Sequence, residues 1–391
     1  MHSTAPGTFE FDDFHARIQV QHNLTRRGSG QSTNATHAQL VAVRRECRVA
    51  SCLVTEMAAR RPTLHDVARV AGVSLITASR VVGGGPYIAA ATRRRVEKAI
   101  RELGYRPNQL ARTLRTGTTS HTIGLVIEDI ANPFYAGIAK AVEEVAREHR
   151  CLLITASCEE NPNLEREVVG ALLQRRVDGL ILVPASNGNH RYLRTEARLG
   201  TPVVFADRRP VGFRADSVVL DNMGGAKLAV EHLIRQGHRR IAVVGDPPTM
   251  PTAEERRAGY QAALEIAGIS YDPELVSMVS HDLDQAEQAV RRLLELPEPP
   301  TAIFALNNRN CIGTLRAVSG RRVTIVGFDD HELFALPTNQ VTVVSYDLGE
   351  LGRTSVRILF ERIDGDHSPT RSIVLPTYLI CRGSGEVPPT G

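Results

Sequence analysis

From His121 to Gly327 short, nearly continuous apolar runs alternate with amphipathic segments, and this alternation limits the fold more than any other feature of the chain. Thr122–Ile127, Leu152–Thr155, Gly179–Val183, Val203–Ala206, Arg240–Val244, Ala302–Leu306 and Val323–Gly327 read as strands. Phe134–His149, Leu164–Arg175, Gly224–Gln236, Ala253–Ala267 and Gln285–Leu296 read as the helices between them. Strands that are apolar on both faces must be covered on both faces, which implies parallel sheets in an α/β architecture. Ligands of such sheets sit at the carboxyl ends of the strands.

Charge sets a second region apart. The whole chain of 391 residues carries +4, but residues 61–117 alone carry +8, residues 1–60 carry +2 and the remainder carries −6. A compact basic block on a mildly acidic body fits either a nucleic-acid-binding module or a solvated charged surface. The sequence pattern inside the block favours the first. Leu64, Val67, Ala68 and Ala71 recur at helical spacing behind Thr63, a natural N-cap that forms a capping-box-like pair with Asp66. Gly72 supplies a tight turn, and Ser74 caps a second helix from Leu75 to Val82, buried through Ala78, Val81 and Val82. A third helix is expected from Thr92, its cap or first residue, to Leu103, with Gly104 as its stop. Helix, glycine turn and helix within about twenty residues form a helix-turn-helix.

The run from Thr63 to Val82, followed by Thr92-Arg-Arg-Arg-Val96 and Gly104-Tyr-Arg-Pro-Asn-Gln-Leu-Ala-Arg-Thr-Leu114, resembles the lactose-repressor (LacI/GalR) family of bacterial transcription factors. The resemblance covers about 61–381. It implies an all-α helix-turn-helix head over 61–107, a hinge helix over 108–117, and a two-lobed sensor over 121–381 built like a periplasmic binding protein. It also implies a homodimer on a near-palindromic double-stranded operator. The lobes are then joined by three crossing segments, placed near 206–209, 343–346 and 368–373. Residues 382–391, rich in Gly and Pro, are expected to be a loose tail. Residues 1–60 carry no motif and read either as a disordered extension or as sequence ahead of a true start at Met57.

In a helix-turn-helix the second helix enters the major groove amino end first. Leu75 and Ile76 then face base edges and read thymine methyls by contact, while Arg80 forks onto guanine or forms a surface ion pair instead. Thr63, Ser74, Thr77 and Ser79 suit phosphate or positioning contacts. By the family match Asn108 and Ala111 belong to the hinge segment, and Leu114 is a wedge between base pairs in the minor groove; the alternative is a plain linker. Ala89 stands where the family commonly has a capping serine.

In the sensor, Asn132, Phe134, Tyr135, Asp207, Arg208, Asn307 and Asp329 follow expected strands and Arg256 opens a helix, positions that by the family match correspond to effector contacts. Carboxylates, guanidinium forks and amides suit vicinal hydroxyls, and aromatic faces suit sugar rings, so a sugar is the expected effector. Asp207 as a surface-loop carboxylate and Asn307 as a turn residue are the plainer readings. Leu283 and Tyr346 depart from residues common in sugar-binding relatives.

Six cysteines form no C-x-x-C and no finger spacing, so no metal, cofactor or disulfide framework is expected. No run of eighteen apolar residues and no signal-type start are present, which points to a cytoplasmic protein without membrane attachment. A solute-binding protein and an α/β enzyme with an accessory domain are the alternatives. G-x-S-x-G, a Walker loop and a strand-to-helix G-x-G-x-x-G are missing, and no catalytic residue is assigned.

Overall fold

Thr63 opens the first helix by closing a capping box: its amide donates to Asp66 Oδ2 at 2.9 Å and its hydroxyl accepts from the Asp66 amide at 3.4 Å. The computed structural model describes residues 61–85, 87–106, 120–278 and 282–389, and the chain divides into two compact units at Pro107/Asn108. In the first unit α1 spans Leu64–Ala71 and ends at Gly72, whose φ of 62° lies in the left-handed region glycine enters without strain. Ser74 caps α2, Leu75–Val82, through a bond from the Thr77 amide at 3.1 Å. Helix α3 spans Ala90–Leu103. It begins two residues before the expected Thr92, which lies within the helix, and Ala89 at the cap position offers no side-chain acceptor. Val67, Ala71, Val81, Val96 and Ala99 form the core of the head, whereas Val82, expected inside, is only half-buried. Full burial of Val67 and Val96 contributes roughly 1.5–3 kcal/mol each.

The second unit consists of two lobes with the same wiring. The first runs β1 (Thr122–Ile127), α4 (Pro133–Glu148), β2 (Leu152–Ser157), α5 (Pro162–Gln174), β3 (Gly179–Leu182), α6 (Leu193–Arg198), β4 (Val203–Asp207) and β5 (Asp216–Leu220). The second runs α7 (Asn222–Arg235), β6 (Ile241–Gly245), α8 (Pro251–Ile266), β7 (Val276–Met278), α9 (Leu283–Leu294), β8 (Ala302–Ala305), α10 (Asn308–Ala317), β9 (Thr324–Phe328) and β10 (Thr342–Ser345). The chain then returns through α11 (Leu348–Ile363) and β11 (Ser372–Leu375) to the first lobe, and through β12 (Tyr378–Ile380) to the second. The sheet orders are β11-β5-β4-β3-β1-β2 and β12-β10-β9-β8-β6-β7, parallel throughout except for β12 against β10. Each order reverses direction at one place, between β1 and β3 and between β6 and β8, and ligands of open α/β sheets bind at such points.

The first and last crossings fall elsewhere than expected, while the second lies next to its expected place. Both β4 and β5 belong to the first sheet, so the chain first crosses after Leu220, not at 206–209; it crosses again at 346–347 and last at 376–377, after β11 and not at 368–373. The cause is β5, which opens on Asp216 and so does not read as an apolar run. Its buried carboxylate accepts from Arg362 Nε and Nη2 at 2.8 and 2.9 Å and from the Arg371 amide at 2.8 Å. The expected loose tail is also corrected over 382–389. Ser384 donates to Ile325 O at 2.6 Å, Glu386 accepts from Thr342 Oγ1 at 2.9 Å, and Val387 O accepts from Thr324 Oγ1 at 2.8 Å. Side-chain anchors on β9 and β10 therefore hold the segment despite its turn-forming composition.

Candidate functional site

At the amino end of α2 the Ser74 hydroxyl is 2.9 Å from that of Thr77, and this pair fixes the first turn. Leu75 and Ile76 project from it, 38 % and 67 % exposed, which is costly for an aliphatic pair unless a partner covers it. Arg80 is exposed one turn on, while Thr77 and Ser79 are half-buried. The Thr63 hydroxyl is committed to Asp66 Oδ2 at 2.7 Å, and the Thr63 amide holds the Asp66 carboxyl down to about 2. Tyr87, not singled out from the sequence, is fully exposed at a φ of 66° in the turn before α3. Asn108, Ala111 and Leu114 lie outside the described residues.

In the second unit all eight residues singled out for the sensor line one cavity of about 40 Å³ between the strand ends of the two lobes. They share it with Glu128, Asp246, Met250, Thr252, Asn308 and Arg309. That volume holds a few water molecules, so admitting a larger molecule requires the lobes to part.

On the first lobe's side Arg208 is buried and donates through Nη2 to Glu128 Oε2 at 3.1 Å and to Tyr135 Oη at 3.0 Å. Its Nη1 donates to Glu160 and, at 3.0 Å, to Pro184 O. Tyr135 in turn donates to Glu128 Oε2 at 2.6 Å. Arg208 is therefore an internal tie that positions Glu128 and Tyr135. On the second lobe's side Arg256 forks onto Asp329 at 3.1 and 3.2 Å, donates from Nε to Asn222 Oδ1 at 2.8 Å and from Nη1 to Leu306 O at 2.5 Å, and lies 3.7 Å from the Phe328 ring centre. Tyr346 donates to Asp329 Oδ1 at 2.7 Å. Four of the five guanidinium donors of Arg256 are thus engaged within the protein.

Asp207 and Asp329 occupy equivalent places, at the carboxyl ends of β4 and β9, and both adopt left-handed backbone, with φ of 67° and 68°. Such backbone in a non-glycine residue is strained and concentrates at functional sites. Asp207 is buried, not a surface-loop carboxylate. Burial pushes its carboxyl up to about 6, against the opposing pull of Arg208 and Arg256. Burial likewise raises the Glu128 carboxyl, whereas Arg208 and the Ser186 amide hold Glu160 below its ordinary value despite burial. Asn307 caps α10 through the Asn310 amide at 2.8 Å and donates to Asp246 Oδ2 at 2.7 Å, so its turn role and its place in the cavity coexist.

Polar contacts join the lobes across the cavity. Asn308 donates to Asn132 Oδ1 at 3.0 Å, Arg309 to Asp129 Oδ2 at 2.5 Å, and Arg209 to Glu255 Oε1 at 3.3 Å. Leu283 opens α9 half-buried and is not among the lining residues.

Residues 120–382 match the family described as periplasmic binding proteins and sugar binding domain of LacI family, and residues 63–108 match bacterial regulatory proteins, lacI family. The chain belongs to the LacI family. It is 37 % identical over 341 residues to the HTH-type transcriptional regulator CelR of Thermobifida fusca, covering 83 % of this chain and 99 % of the relative. It is 31 % identical to the HTH-type transcriptional repressor CytR of Escherichia coli K12, covering 82 % and 96 %. Among solved structures it is similar to the lac repressor dimer bound to operator and the anti-inducer ONPF, with a TM-score of 0.72, 28 % identity and coverage of 83 % and 99 %. It is also similar to the CelR–cellobiose complex, with a TM-score of 0.61, 34 % identity and coverage of 83 % and 100 %. As a LacI-family member the chain is an effector-controlled, DNA-binding transcriptional regulator, in a family of regulators and not of enzymes. A head and a sensor matched in one chain set aside the readings as a solute carrier or an enzyme. Among the described residues no helix is long and apolar enough to cross a membrane.

Proposed function

We propose that this regulator is a repressor that works in the cytoplasm as a homodimer on a near-palindromic operator and is switched by a neutral, hydroxyl-rich sugar. The exposed Leu75–Ile76 pair and Arg80 would read bases, with Ser74, Thr77 and Ser79 on phosphates and Thr63 positioning α1. Asn108 and Ala111 would belong to the hinge helix and Leu114 would be the wedge, as the family resemblance implies.

One observation carries the choice of effector. Glu128, Asp207, Asp246 and Asp329 line the cavity, while its two buried guanidinium groups are already engaged by protein acceptors. Carboxylates and amides accept from and donate to sugar hydroxyls, whereas a phosphate ester or a carboxylic acid would bring further negative charge to a site whose buried guanidinium groups are already paired. Such an effector shifts operator binding only by its different affinities for the two lobe arrangements.

Footprinting of the purified chain along its own gene neighbourhood, with and without a panel of neutral and phosphorylated sugars, tests both parts. A protected palindrome whose occupancy changes at least tenfold with one neutral sugar is expected. A footprint that responds only to sugar phosphates would overturn the effector reading, and the lack of any protected palindrome would overturn the operator reading.

A further inference from the structure

Away from the interlobe cavity, three side chains with metal-binding atoms meet where the closing segment returns to the second lobe. His232 Nε2 from the last turn of α7, Cys381 Sγ just past β12 and a Glu386 carboxylate oxygen lie within 4.8 Å of one another. His232 is only 7 % exposed. Its Nε2 is 2.7 Å from Glu386 Oε1 but outside hydrogen-bond geometry, so this buried nitrogen has no hydrogen-bond partner. A buried polar atom left in that condition calls for an explanation, and a bound ion is one. Glu386 is already oriented from behind. Its Oε2 accepts from the Gly383 amide at 2.7 Å and from Thr342 Oγ1 at 2.9 Å, which turns Oε1 toward the imidazole.

We propose that His232, Cys381 and Glu386 form a zinc site that clips the closing segment to α7. A nitrogen, sulfur and oxygen donor set suits zinc and excludes calcium and magnesium, which take oxygen ligands. Zinc bonds of about 2.0–2.3 Å in a tetrahedron place ligand atoms about 3.3–3.6 Å apart, within reach of small side-chain adjustments here. Cys381 is exposed, so a solvent molecule completes the fourth position. On binding, the Cys381 thiol releases its proton to solvent and binds as the thiolate. The Glu386 carboxylate is held ready by Thr342, the outer-shell arrangement that raises metal affinity. Because β12 begins one residue after the last interlobe crossing at 376–377, an ion here stiffens the strand that leads out of that crossing.

The full-length chain tests this after reduction and chelation. Cys47→Ser and Cys52→Ser serve as the background, since the first sixty residues hold two cysteines and four histidines that compete for metal. Expected are uptake of one zinc per chain in competition with a chromophoric chelator and, with cobalt as the probe, a sulfur-to-cobalt charge-transfer band. Cys381→Ser, at an exposed position, should abolish that band and weaken zinc binding at least tenfold. Thr342→Val should weaken it roughly tenfold while keeping the band. Lack of stoichiometric uptake by the folded parent, or uptake that survives Cys381→Ser unchanged, would overturn the site.

Discussion

Replacing Arg256 by alanine strips Asp329 of a bidentate partner in a site where both are nearly inaccessible to water. The Tyr346 hydroxyl alone then faces the carboxylate. Breaking a buried ion pair from one side costs about 3–5 kcal/mol, because the remaining charge stays desolvated. The stacked Phe328 face adds about 0.5–2 kcal/mol of lost cation–π attraction. Together these are about 3.5–7 kcal/mol, and at about 2–4 °C per kcal/mol for units of this size the sensor's melting transition should fall by roughly 7–28 °C. Differential scanning calorimetry with urea titration reads this directly. Arg256→Met combined with Asp329→Asn leaves no bare charge and should recover at least half of the loss, a coupling a double-mutant cycle isolates. Below the lowered transition, Arg256→Ala should also lose its operator response to the effector while still binding operator. A single variant destabilised by less than about 1 kcal/mol, or a double variant that simply sums the two singles, would refute the account of Arg256 as a charge-matched tie.

Asp207 makes the sensor sensitive to pH. With its carboxyl raised to about 6, the native protein holds a proton between about pH 4 and 6 that the unfolded chain has released. Stability from this group is therefore full below pH 4 and lost as pH rises through 6, a cost of about 3 kcal/mol at neutrality. Asp207→Asn should raise stability at pH 7.5 and flatten the profile between pH 4 and 6; an unchanged profile would exclude Asp207 as its source. In the head, Arg80→Ala should relax discrimination at one base position by about 1–3 kcal/mol without altering the melting temperature, measured by binding to operator variants at fixed salt. Equal losses on all sequences would make Arg80 a phosphate contact instead. Thr63→Ala removes the hydroxyl half of the capping box, leaving the bond from the residue 63 amide to Asp66, and should destabilise the head by about 1 kcal/mol, seen as earlier helix loss in circular dichroism. No change would mean that α1 is held by packing alone.

The elements legible in the sequence are those whose energetics are local. Thr63, Gly72 and Ser74 announce α1 and α2 because cap and turn chemistry acts within four residues. Strands such as Val203–Asp207 are legible because both faces are buried. Strand β5 was not, since its opening Asp216 is neutralised by Arg362, 146 positions away. Glu128 is a comparable omission: its partner Arg208 lies 80 residues on, yet its place directly after the apolar run of β1 marks it as a carboxylate at a strand's carboxyl end. Asp246, following β6, carries the same signal. Seven of the eight sensor residues were found by that rule and Arg256 by its place at the opening of a helix, but not their roles. Arg208 and Arg256, expected to offer their forks outward, spend them on carboxylates whose proximity only the folded chain reveals.

Beside the edge-on contact of Phe134 with Tyr346, the bridge between the lobes is made of polar contacts: an amide pair at Asn132 and Asn308, and half-exposed ion pairs at Asp129–Arg309 and Arg209–Glu255. Contacts of this kind exchange water for protein at nearly equal free energy, typically within about 1 kcal/mol each. Each such contact shifts the balance of lobe arrangements only slightly, and the apparent dissociation constant varies inversely with the fraction of molecules able to bind. Single changes at Arg209 or Glu255, which pair across the lobes without lining the cavity, then move the concentration at which the regulator responds without altering which molecule it recognises. Sensitivity and selectivity are separately adjustable in this chain, the first at the rim and the second in the charged floor beneath it.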